Sequence, residues 1–289
     1  MNDKTIVTHN GNFHADDVFS IAALKSIFPS CKLIRTRDLD VIAKADIVID
    51  VGGEYNSETG RFDHHQRGGA GQRENGIPYS SFGLMWMNYG LVLCQGNQEV
   101  ANAVDSGLVS KIDAIDCGHV EGIYEGISLS QTISMFNPTW QENSHFDSCF
   151  DEAVDFASRV LARFIASASG GIRAKTIVAK AINSAQDPRV IVLEKYTPWK
   201  RTVHALSDKA LYMIYPSQTG QWRIQTVPVE PGSFEDRKPL PKEWAGLSDQ
   251  ALQDASGIDD AMFCHNGLFI AGAETFESTM EMASIALQE

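Results

Sequence analysis

The triplet Asp63-His64-His65, set between Arg61-Phe62 and Gln66-Arg67, puts three metal-binding or proton-carrying side chains in a row. Neutral imidazole suits transition metals, and a neighbouring carboxylate can ligate the ion or orient the ring. A bare triplet is also what a solvated turn offers. Its weight comes from His9, His14, Asp16 and Asp17 near the N-terminus and from Asp50 at the close of an apolar run. Aspartate before an amphipathic helix commonly serves as an N-cap, but two aspartates with two histidines exceed what a cap requires. Asp113 and Asp116 close a later helical stretch, where carboxylates oppose the helix dipole unless a cation compensates.

Oxygen and imidazole donors without thiolates favour Mn, Mg, Fe or Zn, and several aspartates mixed with histidine lean towards Mn. Six or seven donors are too many for one ion. Two divalent ions sharing a carboxylate would use them, and such pairs suit in-line displacement at phosphorus by a metal-bound hydroxide. Residues 66–75 hold three glycines with Arg67 and Arg73. Such a segment can wrap a phosphate through backbone N–H groups and guanidinium forks, or be no more than a mobile loop.

The elements that must position these groups follow from pattern. Residues 4–8 read as a buried strand, 18–28 as a helix stopped by Pro29, 31–35 as a second strand and 39–45 as a short helix. Residues 45–51 form an apolar run of the parallel-strand kind, leading into Gly52-Gly53. Ligands of open α/β sheets collect beyond the carboxyl ends of strands, where His9 and Asp50 stand. A turn is expected at 57–60, then helices over 82–93, behind Ser80-Ser81, and over 99–115. Strand–helix alternation predicts an α/β first domain with a parallel sheet.

The polar stretch 137–148 suggests a boundary, dividing the chain into a catalytic domain, 1–140, and a smaller α+β substrate-capturing domain, 141–289. In the latter, helices are expected over 150–168 and 172–185 around Gly170-Gly171, strands over 190–193, 210–215, 222–227 and from 261, and helices over 247–256 and 275–287. His265, after the last of these strands, is a candidate to face the cleft. Trp199 and Trp244 suit a core better than a base-stacking platform.

Composition narrows the function. With 289 residues, a net charge of −13 and a pI near 5.0, the chain lacks the broad basic face that coating nucleic acid requires. Five scattered cysteines without a Cys-x-x-Cys argue against a disulfide framework and for a reducing compartment. No signal peptide or membrane-length apolar run is evident, so the expected location is cytoplasmic, with no membrane partner.

In order, His9…Asp16, Asp50 and Asp63-His64-His65 resemble the successive motifs of the DHH phosphoesterase superfamily, which includes manganese pyrophosphatases and single-strand exonucleases. Within it, Thr8-His9-Asn10-Gly11-x-Phe13-His14-Ala15-Asp16-Asp17, Asp50-Val-Gly-Gly53, Asp63-His-His-Gln-Arg67 and Ser80-Ser-x-Gly83-Leu84 closely resemble the melanocyte-proliferating-gene family. So do Asp113-Ala-Ile-Asp116-x-Gly118, Pro198-Trp199-Lys200, Leu240-Pro-x-x-Trp244 and Phe263-Cys-His265.

The resemblance implies a DHH-like sheet domain and a metal-dependent hydrolase. Family members have been described as protein hydrolases, and a eukaryotic one as a 3′–5′ RNA exonuclease. By this resemblance His9, His14 and Asp16 are ligands, Asp50 bridges two ions, and Asp116 or Asp113 supplies the last carboxylate. His64 and His65 ligate or polarise the phosphate, oriented by Asp63. The superfamily usually has aspartate where His14 stands, and its glycine-rich histidine motif for substrate is not evident here. Lys200, Arg237 and His265 are the substitutes, with Arg67 and Arg73. The expected substrate is a short RNA end, with a small phosphate ester, pyrophosphate or peptide as rivals. Oligomeric state is left open.

Overall fold

A computed structural model describes residues 4–119, 126–142 and 145–288. The chain forms two compact units, Met1–Ser169 and Gly170–Glu289, against an expected boundary at 140/141.

In the first unit the order is β1 (Thr5–Thr8), α1 (Ala15–Ile27), β2 (Lys32–Arg35), α2 (Leu39–Ile42), β3 (Ile47–Ile49), β4 (Tyr55–Asn56), β5 (Arg61–Phe62), α3 (Ser81–Leu93), α4 (Gln98–Val104), α5 (Ser110–Asp116) and α6 (Leu129–Ser134). Strands run β2-β1-β3-β5-β4 across one sheet, parallel except for the β4–β5 edge. The expected parallel sheet is therefore mixed. The β4–β5 hairpin, met in the sequence only as a turn, closes through Gly60 at φ 71°, where a Cβ would run into the Asp46 carbonyl.

Ile6, Val7, Val48 and Ile49 are fully buried, as strands covered on both faces must be. Val7 and Val48 pack with Ile42, Ala45 and Val51. α1 is buried from Ala15 to Leu24 and meets α3 through Phe19 against Phe82, ring centroids 5.6 Å apart. The sheet and these two helices fix the strand ends that carry the candidate ligands.

The single helix expected over 99–115 is α4 and α5 joined by a π-helical turn, Asp105–Val109. One extra residue per turn leaves little trace in a 3.6-residue period. α7 (Phe146–Ser184) runs unbroken through Gly170-Gly171, correcting the two helices expected there. Glycine costs about 1 kcal/mol each inside a helix, too little to break one of 39 residues.

The second unit continues with β6 (Val190–Val192), α8 (Lys200–Leu206), β7 (Tyr212–Pro216), β8 (Trp222–Thr226), α9 (Asp249–Ser256), β9 (Ala261–Cys264), β10 (Ile270–Ala273) and α10 (Phe276–Gln288). Its sheet runs β6-β7-β8-β10-β9, antiparallel except β6–β7. Trp199 and Trp244, 2% and 1% exposed, belong to its core. The core reading of both tryptophans therefore holds. No helix among the described residues is long and apolar enough to cross a membrane.

Candidate metal centre

Four chain segments end at one place. β1 delivers His9, and the loop to α1 is held by Asn137, whose Oδ1 accepts from Phe13 N at 3.0 Å and whose Nδ2 donates to Phe13 O at 2.9 Å. Arg35 Nη2 donates to Gly11 O at 2.6 Å. The first turn of α1 carries Asp16 and Asp17, both fully buried. Asp17 is a cap after all: its Oδ1 accepts from His14 N and Val18 N, each at 2.9 Å. Its other oxygen lies 3.3 Å from His9 Nε2, so one side chain serves helix and cluster.

Asp50 follows β3 with φ 56°. The left-handed region is uncommon outside glycine, though aspartate and asparagine tolerate it better than most. Its backbone N–H donates to Phe62 O at 3.1 Å, fixing the turn. The carboxylate then spans two rings, Oδ2 at 3.3 Å from His9 Nε2 and Oδ1 at 3.3 Å from His64 Nε2.

β5 leads into the triplet. Asp63 Oδ2 accepts from Gly53 N at 2.6 Å, and Oδ1 accepts from His65 N at 3.1 Å and contacts His65 Nδ1 at 2.7 Å. Asp63 thus orients His65 alone. The His64 side chain is 13% exposed and sits among carboxylates, whereas that of His65 is 63% exposed at the mouth. α5 completes the ring of donors with Asp116, whose Oδ2 is 3.3 Å from His64 Nε2.

The charges are strongly interdependent. Burial opposes protonation of His64, but the Asp50 carboxylate, the Cys117 contact and the Asp16 charge overcome it and push the ring to about 11. His9 is raised to about 9 in the same way, against burial, by Asp50 and Asp17. Burial, then Asp16, pushes Asp116 up to about 8. Asp16 and Asp17 are raised by burial, and Asp50 is held below the ordinary carboxylate range by its two imidazoles, against its own burial.

Asp16 Oδ1, Asp17 Oδ2 and Asp50 Oδ1 are buried without a hydrogen-bond partner among the described residues. A carboxylate oxygen stripped of water and left unbonded is costly. Three of them around imidazole nitrogens fit a divalent cation. His9–His14–Asp50, Asp50–His64–His65, His14–Asp16–Asp116 and His64–Asp116–Cys117 each place their donor atoms within 4.8 Å of one another.

Several candidates stand elsewhere. Asp113 accepts from Ser80 Oγ at 2.5 Å, Gly83 N at 3.0 Å and Arg73 Nη1 at 2.6 Å, and joins none of these donor groups. Arg73, expected on phosphate, is held by Asp113 and by Asp105, at 3.1 Å through Nε and 2.7 Å through Nη2. Arg67 is exposed and lines neither of the two cavities flanking the cluster.

In the second unit, Arg237 Nη1 donates to the carbonyls of Ser207 and Ala210, both at 2.9 Å, a structural clamp where phosphate binding was expected. His265 accepts from Gly267 N at 2.9 Å and lies against Phe269, and Lys200 is exposed with its ammonium 5.9 Å from the Trp199 ring.

Three participants escaped sequence reasoning. Cys117 Sγ lies 3.8 Å from His64 Nδ1; its position directly after Asp116 was the available signal. Arg37 and Asn12 line a cavity of ≈ 640 Å³ with His9, Asp50 and His65. Arg37 follows the carboxyl end of β2, the place where sheet ligands gather. A second cavity of ≈ 460 Å³ lies against His64, Asp116 and Cys117 and is bordered by Ser130 and Ser134 of α6.

Comparison with known proteins tests whether this cluster belongs to a shared design. The family model described as "MYG1_exonuc: Uncharacterised protein family (UPF0160)" matches residues 5–287, which takes in both units and every residue of the cluster. The chain is 34% identical over 328 residues to the "MYG1 exonuclease" of Mus musculus, covering all of this chain and 86% of that one. The Homo sapiens "MYG1 exonuclease" is 33% identical over 328 residues, covering 100% and 87%, and the "MYG1 protein" of Dictyostelium discoideum 29% over 322, covering 100% and 98%. Similarity of that extent, end to end, shows that the chain belongs to the MYG1 family.

Proposed function

We propose that this chain is a metal-dependent phosphodiesterase of DHH type, a 3′–5′ exoribonuclease that shortens RNA ends. The observation that carries the reading is that buried oxygens without a hydrogen-bond partner among the described residues, Asp17 Oδ2 and Asp50 Oδ1, lie 3.3 Å from the rings of His9 and His64, with a third such oxygen on Asp16, itself grouped with His14 and Asp116. The name exonuclease, borne by the mouse and human relatives, supports a nucleic-acid substrate.

Two Mn²⁺ ions would be held by His9, His14 and Asp50 and by Asp16, Asp50, His64 and Asp116. When bound, divalent ions there supply Lewis-acid polarisation of a phosphoryl oxygen and a water of lowered pKa. The protein's own part is orientation. Asp63 holds the His65 ring at the mouth, so that its Nε2 is free to hydrogen-bond an incoming phosphoryl oxygen. Asp50, between His9 and His64, keeps both imidazoles facing one point. Ser81 Oγ, donating to Asp16 Oδ2 at 2.7 Å, leaves Oδ1 as that residue's free donor atom.

The test is hydrolysis of 5′-labelled short RNA, DNA and pyrophosphate by metal-stripped protein with Mn²⁺ or Mg²⁺ restored. Stepwise RNA shortening that needs the ion and is lost in Asp50→Asn supports the reading. Phosphate release from pyrophosphate alone would move it to small-molecule hydrolysis, which the net charge of −13 favours over a long polyanion. Silence on all three substrates would overturn it.

A further inference from the structure

The two cavities beside the cluster share His14, Asp50 and His65 but differ in charge. The larger has Arg37 and the amides of Asn10 and Asn12 on its rim. Arg37 is exposed and makes no hydrogen bond or ion pair among the described residues. That separates it from Arg35, which is tied to Gly11 O and Asp147, and from Arg73, which is tied to Asp105 and Asp113. Among the described residues the smaller cavity has no lysine or arginine in its lining; beside the cluster it has the hydroxyls of Ser130 and Ser134 with Cys117, Ala15 and Ile115. A chain of net charge −13 that keeps one unpaired guanidinium over a carboxylate-lined cleft has a local place for an anion.

We propose that Arg37, with Asn10 and Asn12, binds the internucleotide phosphate next to the one being cleaved, while the cavity beside Ser130 and Ser134, with no lysine or arginine among its described lining residues, receives the terminal nucleoside. This rests on the phosphodiesterase reading above and adds a direction to it. The retained strand lies on the Arg37 side, and the product leaves from the serine side. A guanidinium on one side only gives a reason for removing residues from an end: an internal cleavage would place a second phosphate in the cavity whose described lining has no lysine or arginine. Guanidinium and phosphate form charge-assisted, two-pronged hydrogen bonds, and the two asparagine amides add neutral donors.

The experiment uses an RNA trinucleotide whose inner phosphate, the neighbour of the terminal scissile one, is either ordinary or an uncharged methylphosphonate. Wild type, Arg37→Ala and Arg37→Lys are compared with metal present. In wild type the methylphosphonate should raise KM about tenfold or more, the size of one charge-assisted contact, with a smaller effect on kcat. Arg37→Ala should show a comparable rise on the ordinary substrate and no further loss on the methylphosphonate; Arg37→Lys should recover part of it. Equal sensitivity of wild type and Arg37→Ala to the methylphosphonate would overturn the assignment while leaving the phosphodiesterase reading intact. No cleavage of either trinucleotide by wild type would overturn both.

Discussion

Asp113 and Asp116 lie one turn apart on α5, yet only Asp116 faces the histidines. Its Oδ2 is 3.3 Å from His64 Nε2, whereas Asp113 is fully buried against the start of α3, taking hydrogen bonds from Ser80, Gly83 and Arg73. The sequence presented two equivalent carboxylates; the helix sends them to different neighbours. Asp113 anchors the turn from which Asp116 projects. Beside Ser80, Ser81 holds Asp16, so the same junction sets two members of the donor cluster.

Arg73 is the counter-charge of that anchor, with a side chain 10% exposed. Arg73→Ala would leave Asp113 buried without its cation, and breaking a buried pair from one side costs about 3–5 kcal/mol. Urea unfolding of the metal-chelated protein should show a loss of that order. A loss below about 1 kcal/mol would mean that the pair contributes no more than an exposed one. Gly83→Ala should also destabilise, because a Cβ there would run into the Asp113 carboxylate and come within 2.8 Å of the Tyr79 ring.

Asp50→Asn is the sharpest probe of the cluster. Asparagine accepts the left-handed backbone that Asp50 adopts at φ 56°, so the turn after β3 should survive. The substitution removes the charge shared by His9 and His64. Thermal unfolding with chelator present should stay a single transition but lose the stability that the charge lends the two imidazoles at neutral pH, and Mn²⁺ binding, followed by calorimetry, should weaken by a factor of about ten or more. Binding equal to that of wild type would remove Asp50 from the ligand set.

Most of the cluster was legible because its chemistry is local: His9, Asp50 and Asp63-His64-His65 each stand at or just past the carboxyl end of a strand. What was not legible depends on partners distant in sequence. Nothing in the glycine-rich stretch 66–75 reveals that Arg73 is consumed by Asp105 and Asp113, and nothing around Arg37 reveals that it has no such partner among the described residues. Arg237 likewise reads as a free cation until its two carbonyl acceptors are placed beside it. The π turn at Asp105–Val109 and the two-residue strands β4 and β5 are too short to leave a period. Gly170-Gly171 misled in the opposite direction, since two glycines cost too little to interrupt a helix of 39 residues.

The proton balance predicts how pH acts on the metal-free protein. His9 and His64 bind protons more tightly folded than unfolded, at about 9 and about 11 against 6.5, and Asp116 does so at about 8 against 3.8. A raised folded value contributes stability fully present below the unfolded value and lost as pH rises through the folded one. Chelated protein should therefore be less stable at pH 9 than at pH 6. A cation must displace the same protons, so its apparent affinity should rise with pH, about tenfold per unit for each proton released. Mn²⁺ titrations at pH 6, 7 and 8 in buffers of different ionisation enthalpy would count the protons. A flat affinity with no proton release would contradict this charge assignment.

Cys117 gives the cluster one soft donor among hard ones. Its sulfur, 3.8 Å from His64 Nδ1, belongs to a donor group with His64 and Asp116. Thiolates select thiophilic ions, whereas carboxylates and water suit Mn and Mg. The same cluster should therefore bind Cd²⁺ or Co²⁺ through sulfur, visible as a sulfur-to-metal charge-transfer band in the ultraviolet. Cys31, Cys94, Cys149 and Cys264 join none of the donor groups, so Cys117→Ser should abolish the band while Mn²⁺ binding stays within about threefold of wild type, a change under about 0.7 kcal/mol. A band that persists in Cys117→Ser would assign the sulfur elsewhere. Cd²⁺ binding without any band would leave Cys117 as a hydrogen-bonding neighbour of His64, acting on the ring and not on the ion.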